Sequence, residues 1–351
     1  MLFFFHPESP PREKLTTLEQ LKRLDPLGLL FFVPSMVCLI LALQRGGDTY
    51  PWSAPTIIGL FVVFAILFVA FLAVEILTPQ TAMAPTRVVL NRSVGGSMLC
   101  MFLLSGGMMI ITYYLTIWFQ AAQGQSAKEA GIRTIPLVIF LVVTGIVAAI
   151  FVEKLGYYVA TMLLSPILCA VGGGMFSTLT PNAGKDQWIG YQVLYGLGIG
   201  CGFQTSTLAP QSVLSRTDVS LSMALMFLMQ QLGGSIFLSV AQNFFSKQLI
   251  GSRSGIADLD AEAIVNTGAT AFRDTVPPSS LEDVVGAYSY ALTRVFILAA
   301  AFSACTILGA SVVEWKNIKG KKVSQSNTRD ANAKDGKGEA GMEEVKDRTG
   351  R

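Results

Sequence analysis

The sequence predicts an all-α polytopic membrane protein with about eight transmembrane helices. Three observations predict it: the apolar composition, the places where charge is missing, and the lack of alternation within the apolar runs. Of 351 residues, 52% are hydrophobic and only 14% are charged, and the mean hydropathy is +0.53. That is too little charge to cover the surface of a soluble chain of this length. Eight stretches contain no Lys, Arg, Asp or Glu: 26–44, 49–74, 93–127, 134–152, 155–184, 187–215, 219–246 and 295–313. The shortest of them has nineteen residues, and about twenty apolar residues cross a hydrocarbon core of ~30 Å. Their apolar residues run on continuously, whereas an outer-membrane strand alternates and needs only about ten residues.

Helices are therefore expected at 27–45, 55–77, 93–119, 131–152, 157–179, 188–213, 219–247 and 287–313. The connections are short except 248–286, which holds Arg253, Asp258, Asp260, Glu262, Arg273, Asp274 and Pro277-Pro278 and reads as a polar extramembrane loop. From Lys316 onward there is no aromatic residue, and Lys, Asp, Glu, Gly, Asn and Ser predominate. Such a segment buries too little apolar area to offset its ordering entropy, so 316–351 is expected to be a disordered tail.

Orientation follows from the Lys and Arg residues on alternate sides. One side collects twelve, among them Arg12, Lys22, Arg87, Arg92, Lys154, Arg216 and Lys316. The other has seven (Arg45, Lys128, Arg133, Lys185, Lys247, Arg253 and Arg273), three of them in or beside the long loop, where such charges count little. Both termini are then cytosolic, the 248–286 loop is extracytosolic, and the Asn91-Arg92-Ser93 sequon lies on the cytosolic side. Tyr50, Trp52, Trp188, Tyr288, Tyr290 and Trp315 suit the aromatic belts at the two interfaces. Arg294, near a span's outer end, is expected to snorkel.

Most catalytic chemistry lacks its residues. The one histidine, His6, stands at the extreme end, so histidine triads and histidine-rich metal sites are excluded. No phosphate-binding G-x-x-x-x-G-K-[ST] occurs. Cys38, Cys100, Cys169, Cys201 and Cys305 all fall within apolar runs and form no C-x-x-C. The net charge of +3 sits between spans and in the tail, where it sets topology and does not recruit nucleic acid. The glycine run Gly196, Gly198, Gly200, Gly202 is mid-span and contains two G-x-x-x-G pairs, a pattern for close helix contact. The reading is of no enzyme, no cofactor and no metal.

Amides and hydroxyls within the spans remain. Helix 188–213 carries Gln192, Tyr195, Gln204, Thr205, Ser206, Thr207 and Gln211; helix 219–247 carries Gln230, Gln231, Ser235, Ser239, Gln242 and Asn243. Amides in hydrocarbon are costly without partners, so they face other helices or a cavity. For any single amide these two readings are about even, and several on adjacent helices favour a cavity. Tyr114 and Trp118, four apart on helix 93–119, share a face and can form an aromatic wall. The candidate substrate-binding residues are accordingly Tyr113, Tyr114, Trp118, Gln192, Tyr195, Gln204, Gln230 and Gln231.

Three blocks carry a resemblance to a known family: NRSVGGSMLCMFLLSGGMMIITYYLTIWFQAAQGQSAKEAGIRTIPL (91–137), WIGYQVLYGLGIGCGFQTSTLAPQSVL (188–214) and SMALMFLMQQLGGSIFLSVAQNFF (222–245). They resemble the fungal fourteen-span drug:proton antiporters of the major facilitator superfamily, which include mycotoxin efflux pumps. The resemblance implies a partial major facilitator fold, with the amino-terminal six-helix bundle missing and with it the antiporter motif of span five. Residues 1–25 would be the end of a preceding span and a cytosolic linker, and 26–78 the family's two extra spans. Residues 79–315 would be the carboxy-terminal bundle. In that fold helices 93–119, 131–152, 188–213 and 219–247 line the central cavity, and 157–179 and 287–313 are peripheral. The turn 153–158 keeps only a trace of the family's basic, glycine-containing loop. A truncated gene model beginning at an internal Met is expected.

The function implied is export of an amphipathic small molecule by proton antiport from a multi-pass protein of the plasma membrane, with the vacuolar membrane as the alternative. The partners are the substrate, the lipid bilayer, the proton gradient, and the missing amino-terminal bundle or another carrier copy. Two other readings stay open: an uptake carrier of the same fold, and a non-transporting membrane fragment that associates with a full-length carrier. No Asp or Glu lies deep in any span, Glu75 and Glu314 being at cytosolic ends, so the coupling acid is expected in the missing half.

Overall fold

The computed structural model describes residues 25–47, 50–78, 85–251 and 281–315. Ten α-helices and no β-strand occur among them. They are α1 (Pro26–Arg45), α2 (Pro55–Leu77), α3 (Thr86–Val89), α4 (Arg92–Ala121), α5 (Ala127–Arg133), α6 (Ile135–Leu155), α7 (Val159–Phe176), α8 (Lys185–Val213), α9 (Arg216–Gly251) and α10 (Leu281–Val312). The tail, the end of a preceding span, and the loop between 252 and 280 lie outside the described residues. What remains of the 248–286 loop is helical: α9 continues to Gly251 and α10 already begins at Leu281.

Among the described residues seven spans are long and apolar enough to cross a membrane, α5 and α6 counting as one. The eighth expected span, α8, has 29 residues. Its glycines, amides and hydroxyls leave it less apolar than the seven, and it runs between α6 and α7 with α4 alongside. A helix enclosed by other helices needs less apolar surface than one bathed in lipid. The chain is an integral, multi-pass membrane protein.

Sequence signals explain the helix ends. Asp25 caps α1 by accepting from Gly28 N at 2.9 Å, and Asn91 caps α4 by accepting from Ser93 N at 3.1 Å. The single helix expected from 131 instead breaks at Thr134, between α5 and α6. Pro136 has no N–H to donate and favours a new first turn, which is where it stands. Gly156, with φ 85°, ends α6 in the left-handed region.

The chain divides into two compact units, 1–87 and 88–351. In the first, α1 and α2 pack on each other, with the Phe32 and Phe71 rings 4.9 Å apart. Glu75, expected at a cytosolic end, is buried.

In the second unit, α4 and α8 are central. Neighbours follow in the order α6, α8, α7, α10, α4, α9, and α4 also touches α8 across the middle. Burial agrees: 67% of the apolar stretch of α4 is buried, against 22% for α5–α6 and 28% for α9. The two G-x-x-x-G pairs of α8 face different partners. A Cβ on Gly196 would lie 2.9 Å from the Leu137 carbonyl, and one on Gly200 would strike the Leu141 carbonyl, both on α6. Gly198 and Gly202 instead meet Cys169 and Ser165 of α7. Alternate glycines thus let two neighbours approach the same helix from opposite sides. At one end of the bundle the chain after α10 is tied down: Glu314 pairs with Arg92, its N–H donates to Ser93 Oγ at 3.2 Å, and its carbonyl accepts from Tyr158 Oη at 2.7 Å.

Candidate functional site

Because α6 and α9 stand at the two ends of that order, the bundle opens between them. The opening is a cleft of ≈ 520 Å³, within the ~300–1,000 Å³ usual for sites that hold drug-sized ligands. Its floor is Met101 of α4 with Gly200, Phe203, Gln204 and Thr207 of α8. One wall is α6, through Leu141, Val142, Gly145, Ile146, Ala149 and Ile150; the other is α9, through Phe227 and Gln230. The spacing on each helix is one face at intervals of three and four. Among the described residues no charged side chain lines the cleft.

The glutamines divide into committed and uncommitted amides. Gln192 is fully buried, with Nε2 donating to the Arg133 carbonyl at 2.9 Å and Oε1 accepting from Leu137 N at 3.3 Å. It thereby caps the first turn of α6, whose N–H groups have no intrahelical acceptor. Gln211 donates to the Thr207 carbonyl at 3.0 Å, and Gln123 to the Ala183 carbonyl at 3.1 Å. The side-chain amides of Gln204 and Gln230 make no hydrogen bond to any described residue, and both line the cleft. Thr207 offers less, since its hydroxyl already donates to the Gln204 carbonyl at 2.8 Å.

The other sequence-predicted residues lie elsewhere. Gln231 is exposed and outside the cleft, because it is rotated about 100° from Gln230 along α9. Tyr113 is 52% exposed on the outside of α4. Tyr114, Trp118 and Tyr195 are buried in the core: Trp118 Nε1 donates to Ser289 Oγ at 3.2 Å, and Tyr195 Oη lies 3.3 Å from Ser303 Oγ. None of the three reaches the cleft, so the aromatic wall expected of Tyr114 and Trp118 is instead part of a packed seam between α4, α9 and α10. The Tyr114 ring is 5.5 Å from that of Phe245, which is 5.2 Å from that of Tyr288.

That seam belongs to the bundle end away from the cleft. There Phe119 and Trp188 meet edge to face at 5.1 Å, and the Arg133 guanidinium lies 5.8 and 5.9 Å from their centroids. Arg133 Nη1 also donates to Gln123 Oε1 at 2.5 Å. The cleft lies toward the opposite end, where α6 and α8 finish and α9 begins. Sequence reasoning missed Phe203, Phe227, Gly145 and Ala149. The first two were findable, since one adjoins Gln204 and the other precedes Gln230 by one helical turn.

Comparison with known proteins adds relatives to this geometry. No family model matches the chain. It is 40% identical over 324 residues to "MFS-type efflux pump MFS1" of Trichophyton rubrum, covering 92% of this chain and 60% of that protein. It is 41% identical over 319 residues to "Efflux pump bfoC" of Aspergillus brasiliensis, 91% of this chain and 57% of the relative. With "Efflux pump aflT" of Aspergillus parasiticus it shares 40% over 303 residues, 86% and 59% respectively. The chain thus spans about three-fifths of the length of the curated relatives it matches.

Proposed function

We propose that this chain, about 40% identical to fungal MFS-type efflux pumps, belongs with them and that its helices form the carboxy-terminal part of a secondary active exporter of amphipathic small molecules. The substrate surface is the cleft between α6 and α9, and Gln204 and Gln230 are its polar contacts. One observation carries this reading: among the described residues these two amides have no hydrogen-bond partner, and they share a cleft between α6 and α9. Apolar walls with a few amides give area-driven affinity without demanding a fixed hydrogen-bond pattern. Alternating access requires a second bundle facing this one about a shared site, and we assign the whole activity to such an assembly. Residues 26–78 then act as linker spans and 79–315 as the carboxy-terminal bundle.

The charge asymmetry of the connections supports cytosolic termini, so the cleft faces the cytosol, where an exporter loads. The plasma membrane suits that role, with the vacuolar membrane as the other acceptor of exported toxins. Proton antiport supplies the energy; among the described residues no Asp or Glu lines the cleft, so we assign the proton carrier to another part of the assembly.

The test uses a chimaera that joins this chain to the amino-terminal part of one of the relatives above, expressed in yeast lacking its own drug pumps. Gln204→Ala and Gln230→Ala should keep normal membrane abundance and lose resistance to some compounds while keeping it to others. Gln231→Ala should change neither. Equal loss for every compound, tracking protein level, refutes the site.

A further inference from the structure

Resting on that site, we infer that the cleft selects an uncharged, planar aromatic molecule, held between Phe203 and Phe227 with one polar edge toward Gln204 and Gln230. Among the described residues no Lys, Arg, His, Asp or Glu lines the cleft. On this bundle's side of the site a charged ligand would lose its hydration with no counter-charge from those residues in return. The hydrogen-bonding capacity is two amides, each both donor and acceptor. That matches a carbonyl or hydroxyl edge of either polarity.

The walls supply the shape. Phe203 is half-buried beside Gln204, and Phe227 is 62% exposed, one turn before Gln230 on the same face of α9. Each helix therefore presents a ring and an amide side by side. A lone exposed phenylalanine in a span is ordinary lipid-facing surface; two that share a cleft with two uncommitted amides are not. Opposite them α6 offers its smallest residues, Gly145 and Ala149, one turn apart. A Cβ on Gly145 would meet only the Gly200 carbonyl, at 3.7 Å. Val142, Ile146 and Ile150 line the cleft beside this strip of small residues. A ring system can lie on that strip with its faces toward phenylalanine rings, in the offset or edge-on arrangements such pairs prefer.

The experiment is equilibrium binding to the 1–351 chain in lipid nanodiscs, with empty nanodiscs subtracted. Three dyes of similar size serve as probes: uncharged Nile red, cationic ethidium and anionic anilinonaphthalene sulfonate. Nile red should bind saturably, one per chain, and at least about tenfold tighter than either ion. Phe203→Leu and Phe227→Leu should each weaken it about three- to tenfold. Ala149→Phe, which fills the slot from a wall residue, should abolish it. If the Leu variants bind normally while Gln204→Ala and Gln230→Ala weaken binding, the site stands and the aromatic selection is overturned. Ionic dyes that bind as tightly as Nile red, with the same phenylalanine dependence, overturn the selection for uncharged ligands. No saturable Nile red binding, or binding indifferent to Ala149→Phe, means that lipid chains fill the cleft, and then both readings fall.

Discussion

Gly200→Ala and Gly190→Ala place the same methyl group on the same helix with opposite expected outcomes. Both glycines lie within α8. A Cβ at Gly190 meets nothing within 4 Å, whereas one at Gly200 strikes the Leu141 carbonyl and lies 2.9 Å from Gly145 N and 3.0 Å from Thr144 Cβ. Ordinary contact begins at 3.4 Å, so even the Gly145 contact requires at least 0.5 Å of separation between α6 and α8. The obstructing atoms are backbone, which no side-chain rotation relieves. Overpacking of this kind costs about 1–3 kcal/mol. Alanine regains about 1 kcal/mol of helix propensity, so the net loss at Gly200 is about 1 kcal/mol, while Gly190→Ala gains up to about 1. For a chain of this size about 1–2 °C in Tm corresponds to 1 kcal/mol. Gly200→Ala should therefore melt roughly 1–2 °C lower, and Gly190→Ala should melt unchanged or up to ~2 °C higher. The assay is unfolding of the purified chain in detergent with a thiol-reactive fluorogenic dye, because Cys100, Cys169 and Cys201 are free and buried until the bundle opens. Equal shifts for the two variants, or a rise for Gly200→Ala, would refute the proposed seam between α6 and α8.

Other expectations follow from the same geometry. Gln192→Ala leaves Leu137 N without its side-chain acceptor and should cost about 1–3 kcal/mol in thermal unfolding without altering dye binding. Trp118→Phe and Ser289→Ala should each destabilise by about 1 kcal/mol, and the double variant by less than their sum, since they share one hydrogen bond. A cysteine at Asn182, exposed between α7 and α8, should react with an impermeant thiol reagent on intact cells. One at Ser215, exposed between α8 and α9, should react only after permeabilisation, and the reverse pattern inverts the orientation. Proteoliposomes of 1–351 alone should show no dye movement driven by a pH gradient; movement abolished by a protonophore would place a coupling group within this chain.

The positions of the spans were legible because hydrocarbon leaves the backbone few choices. With no water to satisfy N–H and C=O groups, a continuous apolar run of about twenty residues becomes a helix whatever its neighbours do. The predicted 55–77 span is α2 to the residue, and the other long spans differ by a few residues at their ends. Close contact at the α8 glycines was legible too, since small residues four apart have one common use in membranes. Which neighbour each pair meets was not. That depends on how α8 is rotated between α6 and α7.

Rotation likewise decided the candidate site. Gln192, Gln204, Gln230 and Gln231 are chemically equivalent in the sequence, each able to join helices or face a cavity. Adjacent positions on a helix differ by about 100°, so of the pair Gln230 and Gln231 only one can line a given cleft. Gln192 is spent because the break between α5 and α6 leaves a carbonyl and a first-turn N–H short of partners just where that amide arrives. Tyr114 and Trp118 do share a face, as their spacing requires, but that face packs on α9 and α10. The sequence by itself determined that this is a bundle of membrane helices and which residue types its polar chemistry must use. Only the tertiary structure decided which amides remained without partners, because that is set by helix rotation and contact, and these depend on residues far apart in the chain.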